Sequence, residues 1–499
     1  MSDKKYWQSF GELSESEAFQ QSSQSEFQEE LPLEGLDGKG LLDAKTPRRD
    51  FLKYLGFSTA AAALAASCEV PVKKVIPYVN KPDELIPGVA NYYATTYVSG
   101  GDAISVVAKV RDGRPIKIEG NELSPITMGG TSARVQASVL DLYDSARLRY
   151  PVQMVNGADQ EVSTFEAFDK LVADAMTGMS GSMVLLTGTI TSPTTKQIIT
   201  EFLAKYPGSK HIQYDADSYS GILLANEASY GKKAIPTYHF DNAKVIVSLG
   251  ADFLGTWISP VEFARQYAKG RKIDEKNPEM SKHYQFESMM TLTGGNADNR
   301  YTHRPSESGA VALALLAELG GGVTAPSLDP KLKAGISKVA KDLAANKGKA
   351  LVVSGSNNPN IQIVVNAVNE AIGANGTTIS WATTNKTRQG IDSDLVSLIA
   401  DMEAGKVGGL FIYGVNPVYD FYDGEKFKNA IAKIKATVSM NDRLDETSEL
   451  CKFVIPAPHY LESWGDAEPR DGFISMMQPT IAPLFKTRPF EDSLLKWSG

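Results

Sequence analysis

The chain has 499 residues, 42% of them hydrophobic, which is enough for roughly two to four domains with real cores. A net charge of −8 with no long basic run argues against nucleic acid as a partner. Only two cysteines, Cys68 and Cys451, and five scattered histidines are present. That excludes an iron–sulfur cluster held by this chain alone, which needs about four thiolates. It also leaves no His-x-x-x-His metal spacing.

Residues 1–45 are polar and rich in Ser, Gln and Glu, and read as disordered or weakly helical. Residues 46–68 are T-P-R-R-D-F-L-K-Y-L-G-F-S-T-A-A-A-A-L-A-A-S-C. Paired Arg48 and Arg49 precede a mild Ala-rich apolar run, which ends in small residues just before Cys68. This order reads as an export signal of the twin-arginine kind closing on a lipoprotein cleavage box. The run is short of the about 20 apolar residues a membrane span needs. The plainer alternative, a buried Ala-rich helix, leaves the order of the three parts unexplained. The expected consequence is a mature chain that begins at Cys68, folded before export. Acyl chains on Cys68 would hold it at the periplasmic face of the inner membrane.

Residues 69–100 carry four prolines and predict an extended arm. Residues 103–110 and 115–119 predict a hairpin turning at Arg111-Asp112-Gly113-Arg114, and 138–148 a helix. From about residue 160 strands and helices alternate. Strands are predicted at 183–187, 244–250, 349–355, 377–381, 408–414, 437–441 and 452–456. Helices are predicted at 194–205, 260–268, 310–319, 360–372, 392–404 and 424–436. Residues 270–306 interrupt the rhythm as polar loop. The expectation is an α/β chain with a small N-terminal mixed module at 68–160, then two doubly wound parallel-sheet lobes at 161–325 and 326–499. The close of the chain, Lys496-Trp497-Ser498-Gly499, lacks a tail, so a longer polypeptide is expected.

Three strands end in similar turns: Gly250-Ala251-Asp252, Gly355-Ser356-Asn357 and Gly414-Val415-Asn416-Pro417. Such turns suit a phosphate or ribose at the carboxyl ends of an α/β sheet, or are plain turn chemistry. Asp442, Asp445, Glu446, Glu449, His459, Glu462 and Asp466 lie close together in sequence. They fit acid–base or metal work, or capping and solvated roles. The loop Gly294-Gly295-Asn296-Ala297-Asp298-Asn299-Arg300 could offer backbone to a phosphate.

Taken together these motifs are familiar. V-V-A-K-V-R-D-G-R-P-I-K-I-E-G at 106–120, G-T-S-A-R-V-Q-A-S from Gly130 and L-Y-D-S-A-R-L-R-Y-P ending at Pro151 resemble the molybdopterin oxidoreductase superfamily. So do residues 294–305, F-I-Y-G-V-N-P-V-Y at 411–419, and I-P-A-P-H-Y-L-E-S-W-G-D with Gly472 and Gln478. The resemblance covers about residues 75–499. It departs at the metal equipment: residues 92–101 hold no cysteine, and Ser132 or its neighbour stands where a cysteine ligand is usual.

Within the superfamily the pattern resembles the B subunits of alternative complex III. The resemblance lies in Lys5-Tyr6-Trp7, the displaced twin-arginine signal, Ile76-Pro77-Tyr78-Val79, and Pro87-Gly88-Val89-Ala90 running into Asn91-Tyr92-Tyr93-Ala94-Thr95-Thr96. It implies a cofactor-free half with no catalytic, cofactor-binding or metal residues. Iron–sulfur clusters would lie in a ferredoxin-like C-terminal half and haem in partner subunits. The implied partners are integral membrane quinol-binding subunits and a multihaem cytochrome c. The implied role is structural, in electron transfer from menaquinol to cytochrome c or an oxidase. Two other assignments compete with it. One is an active molybdenum-dependent reductase of polysulfide or tetrathionate type with a non-cysteine ligand. The other is an independent lipoprotein for a nucleotide-like ligand.

Overall fold

A computed structural model describes residues 86, 88–273 and 278–498. The export-signal arginines Arg48 and Arg49 and the lipidation residue Cys68 lie outside the described residues.

The first element is an antiparallel sheet of β1 (Ala90–Ser99), β2 (Asp102–Arg111) and β3 (Arg114–Gly120). The hairpin turns where expected. Asp112 (φ 50°) and Gly113 (φ 75°) are both left-handed, the backbone that a two-residue hairpin loop requires. β1 lies within the stretch expected as an extended arm. It instead pairs along its whole length with β2, from Ala90 opposite Arg111 to Ser99 opposite Asp102. The alternation of β2 sends Ile104, Val106 and Ala108 into a small core with Tyr97, Ile118, Val135, Val139 and Leu461.

Two parallel sheets follow, with helices on both faces, as the alternating pattern implies. The larger holds β4 (Val152–Val155), β5 (Ala158–Glu161), β6 (Ser182–Thr187), β7 (Lys210–Gln213), β14 (Val407–Tyr413), β15 (Ala436–Met440) and β16 (Phe453–Val454). Its order is β5-β4-β16-β15-β14-β6-β7, parallel except for the β4–β5 hairpin at one edge. The smaller is all parallel: β9 (Val245–Leu249), β10 (Lys282–Glu287), β11 (Asn299–Thr302) and β12 (Ala350–Ser354), in the order β11-β10-β9-β12. Both parallel sheets draw strands from either side of residue 325. A fourth sheet, β18-β17-β13-β8, is antiparallel; it holds β8 (Ile235–Tyr238), β13 (Ile379–Asn385), β17 (Gly465–Arg470) and β18 (Phe473–Met477).

Two expectations need correction. The helix placed at 138–148 runs at Ala133–Asp141, because the Ser132 hydroxyl accepts the Val135 N–H and caps it there. The stretch read as loop at 270–306 contains β10 and β11. K-H-Y-Q-F-E hides a strand buried from His283 to Glu287, because His283, Gln285 and Glu287 are polar yet interior. Glu287 is satisfied there by Arg300, Thr291 and Gln285.

Candidate functional site

In the larger sheet the chain runs outward from β6 to β7 on one side and from β14 through β15 to β16 on the other. The strand order therefore reverses between β6 and β14, the place where open α/β sheets bind ligands. A cavity of about 620 Å³ opens there. Its walls are the turns after the strands: Gly188-Thr189-Ile190 after β6, Tyr413 to Asn416 around the end of β14, Asn441 and Asp442 after β15, and His459 after β16. A second cavity of about 550 Å³, mostly apolar, adjoins it. That one lies among the start of β2, Ser132, residues 254–262 after β9, and Arg470. Arg134, Asp217 and Arg388 line both cavities.

The turns singled out in the sequence divide by geometry. Gly414 (φ 66°) sits at the rim of the larger cavity with open space beside its Cα. Its neighbour Asn416 is already bonded: its carbonyl oxygen accepts from the Thr447 hydroxyl at 2.7 Å, and its amide donates to Glu446 at 2.7 Å. Gly355 is glycine for packing, since a Cβ there would collide with the Gly250 carbonyl. Asp252 accepts from the Thr293 N–H and hydroxyl, at 2.9 and 2.7 Å. Asn357 accepts from the Gly221 N–H at 2.7 Å. These side chains tie one loop to the next.

The acidic group behaves similarly. Glu462 and Arg147 form a fully buried bidentate pair, Nη2 to Oε2 at 2.6 Å and Nη1 to Oε1 at 3.3 Å. The N–H groups of His459 and Leu484 donate to the same carboxylate at 2.9 Å. Burial alone would raise its pKa, yet these donors hold Glu462 below the usual range. Asp445 accepts from the Ser448 N–H and from Asn441, each at 2.7 Å. Asp466 accepts from Ser192 and Thr194 at the start of helix Pro193–Ala204. Glu449 is exposed. The His459 ring, pushed down to about 4 by burial, donates from Nε2 to the Ser138 carbonyl at 3.2 Å and accepts the Leu461 N–H at Nδ1.

At the cavity wall, desolvation pushes the Asp420 carboxyl up to about 6, although the residue as a whole is exposed. Sequence reasoning missed Asp102, Asp217 and Arg388, which the fold brings together from distant positions.

The residues present do not fit a metal held by cysteine. Ser132 uses its hydroxyl as a helix cap. Cys451 is buried away from the cavities, and burial raises its thiol well above the ordinary value. Among the described residues no three His, Cys, Asp or Glu side chains are grouped to hold an ion. No helix of the described residues is long and apolar enough to cross a membrane.

No family model matches the chain. It is similar to the menaquinone reductase molybdopterin-binding-like subunit of Nitratidesulfovibrio vulgaris, with 24% identity over 91% of this chain and 72% of that protein. A shorter similarity, 27% identity over 22% of this chain and 13% of that protein, links it to the NADPH-Fe(3+) oxidoreductase subunit alpha of Geobacter sulfurreducens. Among solved structures it resembles acetylene hydratase from Pelobacter acetylenicus. The TM-score is 0.61 at 11% identity, covering 81% of this chain and 68% of that one. The fold is of molybdopterin-oxidoreductase type, and these similarities support that superfamily rather than one particular subunit.

Proposed function

We propose that this chain is a non-catalytic, molybdopterin-oxidoreductase-like scaffold in a membrane-bound, quinol-oxidising electron-transfer complex of the alternative complex III type. The observation that carries this is the chemistry of the donors. Where a metal centre would need thiolates, the chain offers a capping serine and paired carboxylates and arginines, each with a partner inside the protein. The relative named as a subunit of menaquinone reductase supports a place in quinone-linked electron transport.

In this assignment Arg48 and Arg49 direct export, and Cys68 carries the lipid that holds the chain at the periplasmic face of the inner membrane. Integral membrane quinol-binding subunits and a multihaem cytochrome c dock around it. Iron–sulfur clusters in a ferredoxin-like continuation and haem in the partners carry electrons from menaquinol to cytochrome c or an oxidase. Metal and pterin analysis of the complex purified from membranes tests the scaffold role. The expected result is haem and iron with substoichiometric molybdenum and no pterin fluorescence after acid release. Stoichiometric molybdenum with pterin would instead establish the competing assignment, an active molybdenum-dependent reductase. Mass spectrometry of the mature N-terminus tests the anchor: an acylated Cys68 is expected, and peptides containing Tyr6-Trp7 would refute cleavage.

A further inference from the structure

Four charged side chains meet where the two large cavities join. Arg388 is 4% exposed and Asp102 9%. Arg388 Nη1 donates to Asp102 Oδ1 at 2.6 Å and to the Ile258 carbonyl at 3.2 Å, and its Nε lies 3.4 Å from Asp217 Oδ2. Arg134 pairs with the other oxygen of Asp102. The Arg388 stem packs on Gly101, where a Cβ would come within 2.8 Å of its Cγ. The participating segments come from separate places: Asp102 opens β2, Asp217 follows β7, Ile258 follows β9 and Arg388 follows β13. One guanidinium thus touches the N-terminal sheet and the loops that leave both parallel sheets.

The local backbone bends to permit this. Arg388 and Ile258 both have φ of 52°, the left-handed region that side chains rarely adopt and that a β-branched residue adopts only under strain. Both peptide groups of the strained Ile258 are held: its N–H donates to the Tyr219 hydroxyl at 2.9 Å, and its carbonyl accepts from Arg388. Arg134 and Arg388 face Asp102 and Asp217, and the neighbouring buried carboxylate of Asp215 is held by the Thr189 N–H and hydroxyl and by the Gly390 N–H, so every charge here meets a protein group.

We infer that Arg388 is a protein-built keystone of this cleft, clamping the N-terminal sheet to the loops of both parallel sheets so that the cleft holds its shape with protein groups alone. This rests on the scaffold function proposed above. The two fail separately: metal content tests the scaffold, and local opening tests the clamp.

Amide hydrogen exchange on the purified complex reads that opening. Arg388→Met should speed exchange at residues 99–104 and 254–259 by about a hundredfold while distant helices stay unchanged. Asp217→Asn, which removes the more exposed arm, should speed 254–259 by less than about tenfold. The pair Asp102→Asn with Arg388→Met should be clearly less than additive, because both changes break the Arg388–Asp102 contact, while Asp102 alone also loses Arg134. Exchange in both segments within about twofold of the parent for Arg388→Met would overturn the clamp, as would additive effects in the double variant. If Arg388→Met does not accumulate, Asp217→Asn decides: faster exchange at 254–259 supports the clamp, and unchanged rates there overturn it.

Discussion

The carboxyl ends of the two parallel sheets make opposite use of similar turns. At the larger sheet the chain directions diverge between β6 and β14, and a cavity of about 620 Å³ remains. At the smaller sheet the turns after β9 and β12 press on each other, Gly355 against Gly250, and the cavity beside these two glycines is about 200 Å³. A glycine after a strand therefore marks two different things in one chain: backbone that must bend beside open space, or backbone that must touch another backbone. The carboxylates repeat the contrast. Glu462 is sealed in a buried ion pair, while Asp420 stands at the wall of the larger cavity.

The contrast can be broken most severely at the sealed end. Glu462→Gln leaves Arg147 buried without its counter-charge and should cost about 3–5 kcal/mol, read as a lowered urea midpoint. A loss below about 1 kcal/mol would mean the pair is not buried as described.

Next in size is acid sensitivity. Burial pushes His211, His283 and His459 each down to about 4 from 6.5. The unfolded chain then binds more protons between those values. Stability is fully present above about pH 6.5 and is lost as pH falls toward 4, by about 2 kcal/mol per histidine between pH 7 and 5. Urea titrations across that range should show the loss, and His459→Gln should make it shallower. An unchanged slope would place His459 in water.

Ser132→Ala tests whether that hydroxyl is a cap or a ligand. Loss of the cap should cost about 1 kcal/mol and leave the metal content of the complex as it was. A fall in bound metal would contradict the capping role.

The smallest effect is expected at Asp420. Its pKa in the folded state is raised to about 6 from 3.8. Its contribution to stability is therefore present below about pH 3.8 and lost as pH rises through 6. Asp420→Asn should remove that part of the pH slope of the melting temperature and leave the slope below pH 3.8 untouched. A slope identical to the parent's between pH 4 and 6 would show that the carboxyl is solvated.

Much of the framework is legible in the residues. The runs that become β6, β9, β12, β14 and β15 are apolar almost throughout, so their strand character and the burial of both sheet faces follow from local pattern. β10 is not legible, because its residues alternate polar and aromatic in a stretch of charged loop composition, and only the packed sheet buries both faces. β17 and β18 were likewise missed, since Gly465–Arg470 carries Pro469 and three charged residues and pairs only with β13 and β18. Among the candidate residues, the capping of Asp445 and Asp466 accords with ordinary loop chemistry, whereas the sealing of Glu462 has no local sign.

Composition and order by themselves determined that this chain has two cysteines, fewer than a four-thiolate cluster needs, and that its strands alternate with helices in the pattern of a doubly wound fold. The tertiary structure alone decided which charges meet. Arg147 and Glu462 stand 315 residues apart, and Asp102 and Arg388 stand 286 apart. Periodicity reports only which face of an element is buried; a pair so distant in sequence is chosen when elements pack and the surrounding water is expelled.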